Sequence, residues 1–152
     1  MIVPSAYGRK RFNVLGFLDS ETHEVEVVSN STYITADEVV KGFEEIRNKN
    51  GNQKIYVVLD NARYQRCEKV MEAAKKYEIE LKFLPTYSPN LNLIERLWKF
   101  LRGEVLCNKY KMTFAEFGNS ILECLGNTAT DYFEKLDSLL AHNFEILNSN
   151  VK

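Results

Sequence analysis

Two short apolar runs, each ending in turn chemistry, restrict this chain more than any other feature, and together they frame residues 54–99. The first, Ile55-Tyr56-Val57-Val58-Leu59, is rich in β-branched residues and has the length of a strand rather than a helix, so it predicts a fully buried strand. It ends on Asp60-Asn61, and the carboxyl end of a buried strand is where an open α/β sheet places its ligands. The second run predicts a strand over Glu80–Leu84 and enters Pro85-Thr86-Tyr87-Ser88-Pro89-Asn90, a turn sequence with two prolines. A helix from about Asn92 to Cys107 follows. It places Ile94, Trp98, Leu101 and Val105 on one apolar stripe and Glu95, Lys99 and Arg102 on the neighbouring flank. Two carboxylates, Asp60 and Glu95, thus come from a strand end and a helix start, with 34 residues between them.

Upstream, Arg11–Leu18 predicts a strand, 19–22 a turn, and the Glu-Val alternation from Glu24 a second strand with Val25 and Val27 inward, which together make a hairpin. Thr35 with Glu38 forms a capping box that opens a helix to about Asn48, with Val39, Val40, Phe43 and Ile46 on its buried face. Arg66–Tyr77 predicts a helix facing inward through Val70, Ala73, Ala74 and Tyr77. Thr113 with Glu116 is a second capping box, opening a helix to about Leu125, and a last helix is expected from about Asp131 to Ala141. The order of hairpin, helix, strand, helix, strand, helix, helix is an α/β pattern, expected as a single domain over 1–152.

No apolar run reaches the length of a membrane span, and the N-terminus lacks the order of a signal peptide. Cys67, Cys107 and Cys124 are odd in number and lack zinc spacing, which predicts reduced thiols, small core residues and a cytoplasmic protein. The net charge of −1 excludes a whole-surface DNA binder, so nucleic-acid contact requires a local patch. Arg63, Arg66, Lys82, Arg96, Lys99, Arg102, Lys109 and Lys111 are the available concentration, and each also reads as an ordinary solvated residue. Asp60 alone reads equally as a helix cap, Glu95 alone as a solvated helix residue, and Trp98 as the core residue that seats the helix carrying Glu95. His23 and His142 are isolated and read as structural or surface groups.

Leu59-Asp60-Asn61-Ala62 and Tyr87-Ser88-Pro89-Asn90-Leu91-Asn92-Leu93-Ile94-Glu95-Arg96-Leu97-Trp98, at this spacing, resemble the catalytic domain of the mariner-like DDE transposases, in particular their bacterial insertion-sequence branch. Leu93 departs from the proline more common there, which a first helical turn tolerates without needing. The resemblance implies a ribonuclease-H-like mixed sheet flanked by helices, and metal-dependent DNA cleavage and strand transfer in transposition. It implies three carboxylates around divalent ions, Mg²⁺ or Mn²⁺, with Asp60 and Glu95 as two catalytic, metal-binding members. It also implies that Ser88 and Asn90 approach the DNA of transposon ends; Asn61 can orient a bound water or phosphate, and Arg63, Arg96 and Lys99, from the basic concentration, are candidate DNA contacts.

In that family the third carboxylate lies on a first strand upstream of the hairpin. No Asp or Glu precedes Asp19 in this sequence, and Asp19 reads as a hairpin tip rather than a ligand. The expectation is a catalytic domain without the family's helix-turn-helix region, first strand or first Asp, and therefore with weak or absent strand transfer. Either a remnant of a decayed element or the second frame of a split gene fits. Without the first strand, its neighbours must pair directly, leave exposed edges or accept a strand from another chain. That predicts a rearranged sheet, a homo-oligomer or pairing with full-length transposase. The rival functions are a non-catalytic association module that regulates transposition and a stand-alone nuclease.

Overall fold

The computed structural model describes residues 2–3, 12–60, 62–85, 92–106 and 113–140. Strands β1 (Ile2–Val3), β2 (Phe12–Leu18) and β3 (Val25–Asn30) form an antiparallel sheet in the order β1-β2-β3. Helix α1 (Ala36–Asn50) leads to strand β4 (Ile55–Leu59), helix α2 (Glu68–Lys76) and strand β5 (Ile79–Phe83), and β4 and β5 pair in parallel. Helices α3 (Leu93–Leu101), α4 (Phe114–Gly126) and α5 (Phe133–Leu140) complete the described chain. The sequence shows only two strands before α1. The two residues of β1 are too few to carry an alternation signal.

Local chemistry accounts for the boundaries. The Thr35 hydroxyl accepts from the Asp37 amide at 3.2 Å while the Thr35 amide donates to the Glu38 carboxylate at 2.7 Å. Thr113 and Glu116 repeat the device at α4. Helix α2 starts two residues later than expected because Arg63–Gln65 forms a separate 3₁₀ turn. Helix α3 is capped by the Asn92 side chain, which accepts from the Ile94 amide at 3.2 Å, and beyond Leu101 it widens into a π-helical turn over Arg102–Leu106. At the β2–β3 hairpin, Asp19 Oδ1 accepts from the amides of Glu21 (2.8 Å) and Thr22 (2.9 Å), so Asp19 is a turn residue. His23, beside it, is buried with its ring stacked on Phe133 at 4.6 Å.

Two apolar clusters hold these elements. One gathers Leu97, Trp98 and Leu101 of α3 with Ile121 and Leu125 of α4 and Leu136 of α5. The other gathers Val39, Phe43 and Ile46 of α1 with Val57, Leu59 and Val70. Strand β2 serves both: Phe12, Val14 and Leu18 face the first, while Leu15 and Phe17 face the second. Gly16 lies against the Trp98 ring, where a Cβ would stand 2.8 Å from Cη2. Strand β4 departs from the expected full burial. Val57 and Leu59 are covered, but Tyr56 and Val58 remain 53% and 51% exposed. Val57 and Leu59 pack with α1 and α2, and the whole strand borders an open groove. Among the described residues no ladder joins β2 to β4, so the strands form sheets of three and two.

Candidate active site

A groove of about 900 Å³ runs between β2 and β4 and ends on α3. Asp60 enters it from the carboxyl end of β4, where the strand's last ladder position, Leu59, has just paired with Phe83. Its Oδ1 accepts from the Ala62 amide at 3.2 Å, an Asx-type contact that turns the chain into the 3₁₀ segment. Glu95 enters from the first turn of α3, held by the Asn92 cap on one side and the buried Trp98 on the other. Both carboxylates are exposed and line the same groove, and neither forms a salt bridge among the described residues.

Further groups share the groove. Arg102 follows Glu95 by seven positions, two helical turns, and lines the groove on the same side. Tyr64 and Gln65 line it next to Asp60, and burial together with the Asp60 charge raises the Tyr64 phenol above its usual range. The sequence gives no sign of these two, because Ala62–Arg66 carries no periodicity; only nearness to Asp60 marks them. The Gln65 side-chain oxygen is buried without a hydrogen-bond partner among the described residues.

The remaining predicted residues are placed differently. Arg63 and Lys99 are exposed and do not line the groove. Arg96 turns to α5, where its guanidinium donates to the Leu139 carbonyl at 3.1 Å. Asn61, Ser88 and Asn90 lie outside the described residues, as do Cys107, Lys109, Lys111 and His142. Of the other basic residues, Lys82 pairs with Glu80 at 2.5 Å and Arg66 lies over the Phe83 ring at 5.2 Å. Asp19 lines the groove too, and its Oδ1 accepts from the hairpin-turn amides of Glu21 and Thr22.

Two exposed carboxylates on one groove suit a hard divalent ion, since Mg²⁺ is commonly held by one or two carboxylates while it keeps waters for exchange with phosphates. Among the described residues no three His, Cys, Asp or Glu side chains cluster closely enough to hold a metal ion. No described helix is long and apolar enough to cross a membrane.

Residues 3–116 match the family described as DDE superfamily endonuclease. A comparison with curated proteins finds no match. Among solved structures, the fold is similar to the Mos1 transposase catalytic domain with raltegravir and Mg, with 14% identity, a TM-score of 0.60, and coverage of 95% of this chain and 82% of that one. It is similar to a chain of the simian T-cell lymphotropic virus intasome in complex with PP2A regulatory subunit B56 gamma, with 15% identity, a TM-score of 0.59, and coverage of 80% of this chain. This chain spans 45% of that one, less than half its length. It is also similar to the dimeric HTLV-2 integrase catalytic core domain in complex with magnesium, with 17% identity, a TM-score of 0.50, and coverage of 84% and 80%. The architecture is that of ribonuclease-H-like integrase and transposase catalytic cores.

Proposed function

Because this chain belongs to the DDE superfamily endonucleases, we propose that it is the catalytic domain of a transposase of the mariner-like, bacterial insertion-sequence kind. In this reading 1–152 is one domain that works on transposon-end DNA in the cytoplasm, as a homo-oligomer or beside a longer transposase. What supports the reading is that Asp60, at a strand end, and Glu95, at a helix start, both line one groove. Asp60 and Glu95 hold a divalent ion, Mg²⁺ or Mn²⁺, through carboxylate oxygens. The ion, when bound, supplies Lewis-acid activation of the attacking oxygen and charge neutralisation at the scissile phosphate. Trp98 fixes the helix and so the position of Glu95. Arg102, on the same groove, offers a guanidinium to a phosphate oxygen. Asn61, Arg63, Ser88, Asn90, Arg96 and Lys99 contact the DNA, and Arg96 also donates to the Leu139 carbonyl of α5.

The test is cleavage of duplex DNA carrying the terminal repeats that flank the gene, with Mg²⁺ or Mn²⁺ and with EDTA, together with Mn²⁺ binding followed by electron paramagnetic resonance. Asp60→Asn and Glu95→Gln each remove cleavage and weaken Mn²⁺ binding while leaving the melting temperature unchanged. Mn²⁺ binding that is indifferent to both substitutions refutes the assignment.

A second reading is favoured because no group of three His, Cys, Asp or Glu among the described residues could hold a metal ion. The domain then regulates transposition by pairing with full-length transposase or DNA. Absence of cleavage with co-purification of a longer transposase selects it.

A further inference from the structure

The chain that leaves β4 does not run straight into α2. Asp60 Oδ1 accepts from the Ala62 amide at 3.2 Å, and the Gln65 amide donates to the Ala62 carbonyl at 3.0 Å. These two bonds fold the chain into the 3₁₀ turn Arg63–Gln65 and return Tyr64 to the groove that Asp60 also lines. The Tyr64 ring is half-buried and packs against the apolar cluster of Val39, Phe43 and Val70. A tyrosine held this way keeps its apolar body in the core and its hydroxyl at the wet edge. Burial, and after it the Asp60 charge, raise the phenol, so it stays protonated and acts as a neutral donor. Asp60 acts on it through charge, and among the described residues no hydrogen bond joins the phenol to that carboxylate. A lysine or arginine in its place would pair with Asp60 and compete for its oxygens with a cation; a phenol carries no charge to do so.

Gln65 ends the same turn with its side-chain oxygen buried and unpartnered among the described residues. An apolar side chain of similar shape would fill that space without leaving an acceptor unpaired, so the turn is not optimised for stability. Unrelieved polar groups of this kind are expected where a segment serves a ligand. Arg102 lines the groove from the α3 side. A phosphate lying at Asp60 and Glu95 then meets a cation from α3 and a hydroxyl from the turn after β4.

We propose that the Tyr64 hydroxyl donates a hydrogen bond to a non-bridging oxygen of the scissile DNA phosphate and so fixes that phosphate beside Asp60. This rests on the reading of Asp60 and Glu95 as the ion-binding pair. The bond to an anionic oxygen is charge-assisted, and its loss weakens binding of the phosphate about tenfold.

The experiment measures binding of a fluorescein-labelled duplex carrying the terminal repeat by fluorescence anisotropy, with Ca²⁺ in place of Mg²⁺ so that the duplex stays whole. The parent is expected to bind more tightly with Ca²⁺ than with EDTA. Tyr64→Phe keeps the ring in its cluster, and is expected to retain the melting temperature and the Mn²⁺ affinity while binding the duplex about tenfold more weakly. A second duplex carries an uncharged methylphosphonate at the repeat junction. On it the Tyr64→Phe penalty is expected to shrink to about threefold or less, because the hydroxyl has lost its anionic partner. A Tyr64→Phe protein that binds the phosphate duplex as tightly as the parent overturns the proposal. An equal penalty on both duplexes also overturns it, since the hydroxyl would then touch another part of the DNA, and so does a parent indifferent to Ca²⁺. Mn²⁺ binding insensitive to Asp60→Asn and Glu95→Gln overturns instead the ion-site reading beneath it, a result separate from the duplex data.

Discussion

Gly16→Ala is the sharpest probe of how β2 positions the candidate site. The new Cβ would lie 2.8 Å from Trp98 Cη2, 3.2 Å from Cζ2 and 3.3 Å from Val25 Cγ1. Carbon contacts relax near 3.5–4.0 Å, so the indole must retreat by roughly 1 Å. The ring is 6% exposed among Leu97, Leu101 and their neighbours, and a close-packed interior offers it no void. Overpacking of this kind costs about 1–3 kcal/mol. For a chain of this length that lowers the melting temperature by about 2–12 °C. Trp98→Phe removes the two clashing atoms. The double variant Gly16→Ala/Trp98→Phe is therefore expected to be less destabilised than the two single variants combined, with a coupling of about 1 kcal/mol. Thermal unfolding of the four proteins measures this directly. Because Glu95 stands one turn before Trp98 on the same helix, Gly16→Ala also reduces metal-dependent cleavage by more than its unfolded fraction explains, and a shift near 1 Å can cost about 10²-fold. A Gly16→Ala protein as stable as the parent, or additive effects in the cycle, would refute the reasoning.

Three other outcomes are expected. Arg47 donates to the carbonyls of Tyr77 (2.7 Å), Gly51 (2.7 Å), Gln53 (2.8 Å) and Glu78 (2.9 Å), tying the end of α1 to the turn before β5. Arg47→Lys loses the planar fork and about 2 kcal/mol in urea unfolding. The Thr35 hydrogen bond, the largest influence on Glu38, holds that carboxyl below its ordinary range. A depressed folded value means that the capping contribution is complete above the unfolded value of about 4.3 and is lost as pH falls through the lower folded value, so the parent but not Glu38→Gln loses helix-cap stability on acidification. Burial raises the Cys124 thiol to about 11, so iodoacetamide at pH 8 leaves Cys124 unmodified in the folded protein and alkylates it after denaturation.

Where local chemistry decides an element, the sequence is a sufficient guide. Thr35 with Glu38 and Thr113 with Glu116 mark two helix starts to the residue, and Ile55–Leu59 is the strand its composition predicts. The Trp98 stripe correctly forecasts the face of α3 that seats Glu95. What escapes the sequence depends on the third dimension. The exposure of Tyr56 and Val58 follows from the space beside them rather than from their own preferences. The π-helical turn after Leu101 has no cap or breaker to announce it. The burial of His23 requires a partner, Phe133, more than a hundred positions away, and Arg96 finds its carbonyl at Leu139 in the same manner.

The division into two sheets also bears on how the molecule breathes. Backbone bonds lock β4 to β5 and β2 to its hairpin partner, while among the described residues side-chain packing rather than a ladder joins β2 to β4. Cooperative substructures with separate ladders come apart at different free energies. The crevice edge is therefore where solvent exchange should begin, with the α1–β4–α2–β5 unit persisting after the hairpin has let go.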